Sequence, residues 1–454
     1  MKEFFKISPK IEGKCDPKMM HTMTEKLWRS FSFQTSVLSL SEGEKNTFVI
    51  GNPEKPELPA GKEYALSVSE QGIYIRGRDY GSLMRGFFIL LMKMEYDRCN
   101  TTQQYLTIPY GEDISEYRIN NRMIHICVFP ENDLYFIKKL IRLAALCQYT
   151  HIVIEFWGML RYDCMKELAW EMAFTKEQAK ELIDECRMLG IEPVPMFNQL
   201  GHATASRCIR GKHVVLDQNP GLYRLFSPDG WSWNIESPEV FALFKTIRKE
   251  LCDLFGDGEY FHIGCDEAYF ISHNEEVRQK LPQFLHDLTG EVEKEGRRPM
   301  MWVDMLMEAN QYEDCDAAFG KAEEIDALRA ATAPSTIFID WQYICYRPQI
   351  PTLVSLKDCG RDAMGAPWYD ERNCTAYANT IAEHDFHGIM LTTWHTLKKE
   401  ARSILMCAHK CGAKSYTWSA SSRYYEETAT LMRHVSFEGN DYYSSGWSKE
   451  QIEV

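Results

Sequence analysis

Tyr260-Phe261-His262-Ile263-Gly264-Cys265-Asp266-Glu267-Ala268-Tyr269 begins as a short apolar run with β character, crosses a glycine and ends in two adjacent carboxylates. A buried parallel strand delivers acids in this way to the carboxyl-terminal rim of a barrel. Neighbouring residues on a strand point to opposite faces, so Asp266 and Glu267 part company unless the strand ends between them. Taken alone, the pair better suits a loop or helix start, where negative charge is favourable. The flanking sequence decides between the two.

Outward from this stretch, strands alternate with helices, the pattern of a parallel sheet. Upstream lie strands at 122–128, 151–157 and 191–197, and downstream at 299–304, 336–341, 362–366 and 388–394. Between them the spacing predicts helices over 134–146, from Thr175 (a near capping box with Gln178) to Gly190, and from Ser237-Pro238-Glu239 to Phe255. The class is α/β: a (β/α)8 TIM barrel over 116–400. An open doubly wound sheet is the second choice, but no strand is followed by GxGxxG or a P-loop. Residues 1–115 read as a small α/β domain, with a hairpin over 64–77 and a helix over 81–95. Pro109-Tyr110-Gly111 marks its end. Residues 401–454 read as a helical extension packing back on the barrel.

The bulk properties narrow the class of partner. A formal net charge of -14 over 454 residues disfavours nucleic acid, which needs clustered positive charge. The apolar run 86–92 is far too short to span a bilayer, and the first ten residues lack the apolar core of a leader. Fifteen cysteines, scattered singly, predict reduced thiols in a soluble cytoplasmic protein. With no CxxC or paired-histidine spacing, no metal and no cofactor is expected. The sequence leaves the oligomeric state open.

The residues at the ends of the strands point to chemistry. Tryptophans stand at the ends of the second, fifth, sixth and eighth strands (Trp157, Trp302, Trp341, Trp394), near the carboxylates Asp266, Glu267 and Asp304. Any one of them is more often core packing. Four on one rim with acids predict a small aromatic pocket for a sugar, whose C–H faces stack on indoles.

His262-Ile263-Gly264-Cys265-Asp266-Glu267 resembles the His-x-Gly-Gly-Asp-Glu signature of family 20 glycoside hydrolases, the β-N-acetylhexosaminidases. The stretch 195–202, ending in Gly201-His202, resembles the family's third-strand motif, and Trp302-Val303-Asp304 its fifth. The first domain is similar to the family's non-catalytic α/β domain. The resemblance implies an exo-acting, retaining glycosidase that removes terminal GlcNAc or GalNAc with help from the substrate's own acetamido group. It makes Glu267 the general acid and base, and Asp266 the carboxylate that orients the acetamido N–H. It gives Tyr343 the acetamido oxygen, makes Trp302, Trp341 and Trp394 walls for the acetyl group, and assigns Asp304 to substrate binding. Arg122 falls where the family binds the outer hydroxyls, and His202 and His262 fall on motif histidines.

The sequence departs from the pattern at Cys265, in place of the second glycine, and at Met123, after the arginine. Cys127-Val128-Phe129 stands where the family has an acid, and Phe156-Trp157-Gly158-Met159 lacks the usual Asp. These departures mark a divergent branch. Two other readings stay open: a catalytically silent sugar-binding barrel, and a metal-dependent hydrolase using Asp266, Glu267, Asp304 and His202.

Overall fold

The computed structural model describes residues 3–32, 35–96, 106–203, 219–394, 397–398, 401–414 and 424–436. The first strand, β1 (Phe4–Ile7), pairs in a small sheet with β8 (Leu106–Pro109), which in turn pairs with β7 (Glu95–Tyr96). The main sheet of the first domain has six strands: β2 (Lys10–Cys15), β3 (Val37–Glu42), β4 (Thr47–Gly51), β5 (Tyr64–Ser69), β6 (Gly72–Gly77) and β9 (Gly111–Ile114). Their order is β3-β2-β4-β6-β5-β9. The hairpin expected from the sequence is β5–β6, paired from Tyr64↔Gly77 to Ser69↔Gly72. The helix Tyr80–Met92 starts where the Asp79 carboxylate accepts the Ser82 N–H at 2.7 Å, and eleven of its residues are buried. Its first turn meets the barrel glycine to glycine. A Cβ on Gly190 would lie 2.8 Å from Gly81 Cα, so no larger residue fits at this contact.

The second unit is a closed barrel of eight parallel strands. They are β10 (Asn121–Cys127), β11 (His151–Glu155), β12 (Glu192–Met196), β13 (Tyr260–His262), β14 (Arg298–Trp302), β15 (Ile337–Asp340), β16 (Asp362–Gly365) and β17 (Gly388–Thr392). β17 closes on β10 through Asn121↔Gly388. All eight fall where the apolar runs place them. The lumen is filled from every second position: Met123, Val153, Val194, Tyr260, Met300, Ile337, Met364 and Met390 below, Met196, Trp302, Ile339 and Ala366 above. The outward positions pack into a separate apolar shell beneath the helices.

The expected helix signals are met in detail. Leu134–Leu146 is capped by Asp133, and Lys176–Met188 carries the full reciprocal capping box of Thr175 and Gln178. Pro238–Phe255 begins with proline in its first turn. After β17, the helix Arg402–Lys410 packs on Glu371–His384 and on Leu134–Leu146, which makes it the barrel's eighth helix. The last helix, Tyr424–His434, reaches back to the first domain, where the His434 ring stacks on Phe31 at 4.1 Å. No helix among the described residues is long and apolar enough to cross a membrane.

Candidate active site

β13 is only three residues long, and its early end builds the site. After His262 the chain enters left-handed backbone at Gly264 (φ 70°), Cys265 (φ 82°) and Glu267 (φ 49°). A Cβ on Gly264 would lie 2.0 Å from Asn198 Oδ1, so glycine is required there. Because the strand has ended, Asp266 and Glu267 escape the alternation rule and reach the same partner. That partner is His202, whose Nε2 lies 2.9 Å from Glu267 Oε2 and 3.3 Å from Asp266 Oδ2.

His202 is placed by the parallel stretch after β12. Phe197 and Gln199 donate backbone N–H bonds to His262 and Ile263, at 3.0 and 2.9 Å. Gly201 then passes so close that a Cβ would lie 1.9 Å from the Asp266 carbonyl. His202 itself has φ 52° and stands with its ring 4.3 Å from that of Trp231.

The backbone of Glu267 is clamped on both sides. Asp304 Oδ2 accepts its N–H at 2.8 Å, and Trp231 Nε1 donates to its carbonyl at 2.8 Å. The other oxygen of Asp304 accepts Trp341 Nε1 at 3.2 Å. Burial, and then the charge of Asp266, push the Asp304 carboxyl well above the usual carboxylate range, although those two donors pull it down. Burial, the charge of Glu267 and a hydrogen bond to it raise the Tyr269 phenol, so Tyr269 stays neutral beside the acid.

An aromatic wall faces the carboxylates. Trp302 and Trp394 lie 5.7 Å apart, Trp341 and Tyr343 5.1 Å, and Tyr343 and Trp368 5.2 Å. Tyr343 Oη accepts Trp394 Nε1 at 2.7 Å. Below the wall lies a buried polar layer, in which His125 Nε2 is 3.1 Å from Glu155 Oε2 and Asn198 Nδ2 donates to Glu155 Oε1 at 2.9 Å.

Residues 153–341 match the family model "Glycosyl hydrolase family 20, catalytic domain". Over that span the barrel is similar to family 20 catalytic domains. Hexosaminidase D of Bos taurus is 26% identical over 133 residues, covering 29% of this chain and 36% of that protein. Lacto-N-biosidase of Bifidobacterium bifidum is 22% identical over 228 residues, covering 45% of this chain and 19% of that protein. The matches thus take in well under half of either relative. In fold, the chain is similar to the β-N-acetylhexosaminidase of Bacteroides fragilis, with a TM-score of 0.67 and 14% identity, covering 100% of this chain and 96% of that one. The exo β-N-acetylglucosaminidase of Vibrio harveyi gives 0.68 and 13%, covering 97% and 76%.

Within this barrel, most of the residues singled out from sequence converge. Asp266, Glu267, His202, Asp304, Trp341, Tyr343, Trp394 and Trp302 form one connected cluster at the carboxyl-terminal rim. Trp302 and Asp304 are 0% and 1% exposed, so they back the pocket and act through their neighbours rather than offering a face to a ligand. His262 lies under the same wall, its ring 4.6 Å from Trp302, and its Nδ1 accepts the Gly264 N–H. Cys265 is fully buried, with Sγ 3.6 Å from the Ile263 carbonyl. Burial, and then the charges of Asp266 and Asp304, raise its thiol far above the ordinary range, which makes it an unreactive filler.

Two expectations fail. Arg122 does not reach the rim: it sits at the amino end of β10, fully buried. Its guanidinium donates to the carbonyls of Gln148, Ile119 and Asn120 and pairs with Glu63 of the first domain at 3.3 Å. It stands at the start of its strand, and the rim lies at the other end. Trp157 turns outward (φ 40°) into the shell beneath the helices, 4.9 Å from Phe197 and 6.2 Å from Trp233.

Trp231, Tyr269, Trp368, His125 and Asn198 carry no role in the sequence reading. The available signal was position: His125 and Glu155 share the inward parity of Met123 and Val153. Among the described residues, His125, Cys127 and Glu155 also bring metal-competent atoms within 4.8 Å of one another, as do Asp314, Cys315 and Cys345.

Proposed function

We propose that the chain is an exo-acting, retaining β-N-acetylhexosaminidase that hydrolyses terminal 2-acetamido sugars through substrate assistance. The carrying observation is the convergence of Asp266 and Glu267 on one imidazole nitrogen, opposite a wall that holds Tyr343. Glu267 has the more exposed side chain, 23% against 4% for Asp266, so it is the acid that reaches a leaving group. In the first step the acetamido carbonyl oxygen attacks C1 while Glu267 protonates the departing oxygen, giving an oxazolinium and a free alcohol. In the second, Glu267 takes a proton from water as that water opens the oxazolinium at C1 with net retention.

Asp266, held beside His202, accepts the acetamido N–H and faces the developing positive charge. Tyr343 accepts the Trp394 indole, so its hydroxyl proton is what it offers to the acetamido oxygen. The Trp341 and Trp394 faces hold the acetyl methyl near attack geometry.

Hydrolysis of aryl β-GlcNAc, β-GalNAc and β-glucoside tests this reading. Both acetamido sugars should turn over and the plain glucoside should not. Glu267→Gln and Asp266→Asn should each lose at least about a hundredfold in kcat, the scale of one acid–base group. Comparable hydrolysis of the glucoside would sink substrate assistance. The alternative reading is a sugar-binding barrel without turnover. That reading gains if binding is seen and no aryl substrate is cleaved.

A further inference from the structure

Cys315 and Cys345 lie on the loops after β14 and β15, outside the cluster described above. Both are buried, their sulfurs lie within 4.8 Å of each other, and Cys345 Sγ lies 3.5 Å from Asp314 Oδ2. Asp314 is paired in turn with Arg347 Nε at 2.8 Å. The neighbouring Cys315 thiol draws the Cys345 thiol below its ordinary value despite burial, while Cys315 is raised. The pair lies just under the surface. Ile344 and Tyr346 on either side of Cys345 are 48% and 42% exposed, and a cavity of about 550 Å³ walled by Tyr312 and Arg347 opens beside it.

The same two loops are already tied through Gln342, whose side chain accepts the Ala317 N–H at 3.1 Å and donates to the Ala317 carbonyl at 2.9 Å. Asn373 Nδ2 donates to the carbonyls of Gln342 and Cys345 at 2.7 and 3.0 Å, so the Gln342–Cys345 segment is held as a unit. Tyr343 is inside that unit.

We propose that Cys315 and Cys345 are a thiol–disulfide site whose closure moves Tyr343. A low-molecular-weight disulfide such as oxidised glutathione is the oxidant. The Cys345 thiolate attacks one of its sulfurs, forming a mixed disulfide and releasing one glutathione thiolate, which takes up a proton. Cys315 then gives up its proton and attacks Cys345 Sγ, and the second glutathione leaves as a thiol. Two protein thiols are oxidised by two electrons, and one external disulfide is reduced to two thiols. A disulfide needs its sulfurs about 2.05 Å apart, closer than two reduced thiols can approach. Its formation therefore pulls the Gln342–Cys345 segment toward the β14 loop and carries the Tyr343 hydroxyl off its position against Trp394. The functional consequence rests on the role proposed for Tyr343; the link itself does not.

The test treats the reduced full-length protein with oxidised glutathione, then alkylates the remaining thiols and maps peptides by mass. The expected product is a Cys315–Cys345 peptide pair two hydrogens lighter than its reduced form, absent from Cys315→Ala and Cys345→Ala. On aryl β-GlcNAc, wild-type kcat should fall at least tenfold on oxidation and return with dithiothreitol. Either variant should keep the reduced rate and ignore the oxidant. A persistent glutathione adduct or a link between other cysteines overturns the site. A Cys315–Cys345 link with kcat unchanged within twofold overturns the coupling. A protein that forms the link but never cleaves the sugar refutes the hydrolase reading and leaves the thiol site standing.

Discussion

At the scale of single residues, the Asp266–Glu267 pair was legible and its geometry was not. A sequence states that Gly264 is glycine; only the fold shows Asn198 Oδ1 occupying the space of its missing side chain. Cys265 shows the same limit from the other side. It holds φ 82° where the family signature has glycine, a conformation that costs an L-residue about 1–2 kcal/mol. Replacing it by glycine removes that strain, but also removes a buried thiol and adds freedom to the unfolded chain, worth about 0.5–1 kcal/mol. Cys265→Gly should therefore shift stability by less than about 1 kcal/mol in urea unfolding and leave kcat/KM within a few-fold. Cys265→Val, β-branched in left-handed backbone and beside Asp266, should lose about 2 kcal/mol or more and most activity. If valine proves as stable as glycine, the backbone at 265 is not as described.

At the scale of elements, all eight strands were readable because each is a short apolar run ending at the rim. What failed was direction beyond a strand's end. Trp157 comes just after β11, and its positive φ sends it outward, which no periodicity reports. The end of β15 shows an outward residue with a consequence of its own. Asp340 is 1% exposed and accepts Thr352 Oγ1 at 2.8 Å and Tyr377 Oη at 3.1 Å, fixing the helices beyond it to the barrel.

Burial raises the Asp340 carboxyl from 3.8 to about 6, even though Thr352, Tyr377 and Gln342 pull it down. The folded state thus keeps a proton that the unfolded chain has released, so stability is greatest below pH 4 as far as this group is concerned and declines as pH rises through 6. The decline is of the order of 3 kcal/mol. Asp340→Asn should flatten the dependence of Tm on pH between 4 and 7. An unchanged slope in the variant would assign the effect to another group, with Asp304 the first to examine, since its raised carboxyl acts in the same direction.

At the scale of the whole molecule, the two domains are joined by charge that the sequence had assigned to sugar. Glu63 and Arg122 have side chains 6% and 1% exposed, and Arg85 pairs with the same carboxylate at 7%. One buried acid thus compensates two buried guanidiniums, one from each domain. Tyr117 lies under Arg122 at 3.6 Å, and Tyr80 Oη donates to the Met188 carbonyl at 2.7 Å across the same boundary. Removing one partner of such a network strands the others without water, at about 3–5 kcal/mol.

Glu63→Ala should therefore lower Tm sharply and merge or split the unfolding transition, while KM for aryl β-GlcNAc in the folded fraction stays within twofold of wild type. Arg122→Met removes the charge and keeps much of the stem's packing, so it should destabilise less and likewise leave KM alone. A large rise in KM for Arg122→Met with Tm unchanged would return Arg122 to the sugar site and overturn its placement at the domain boundary. Arg122 is thus committed to that boundary, and the site proposed at the rim would have to bind sugar hydroxyls through other groups.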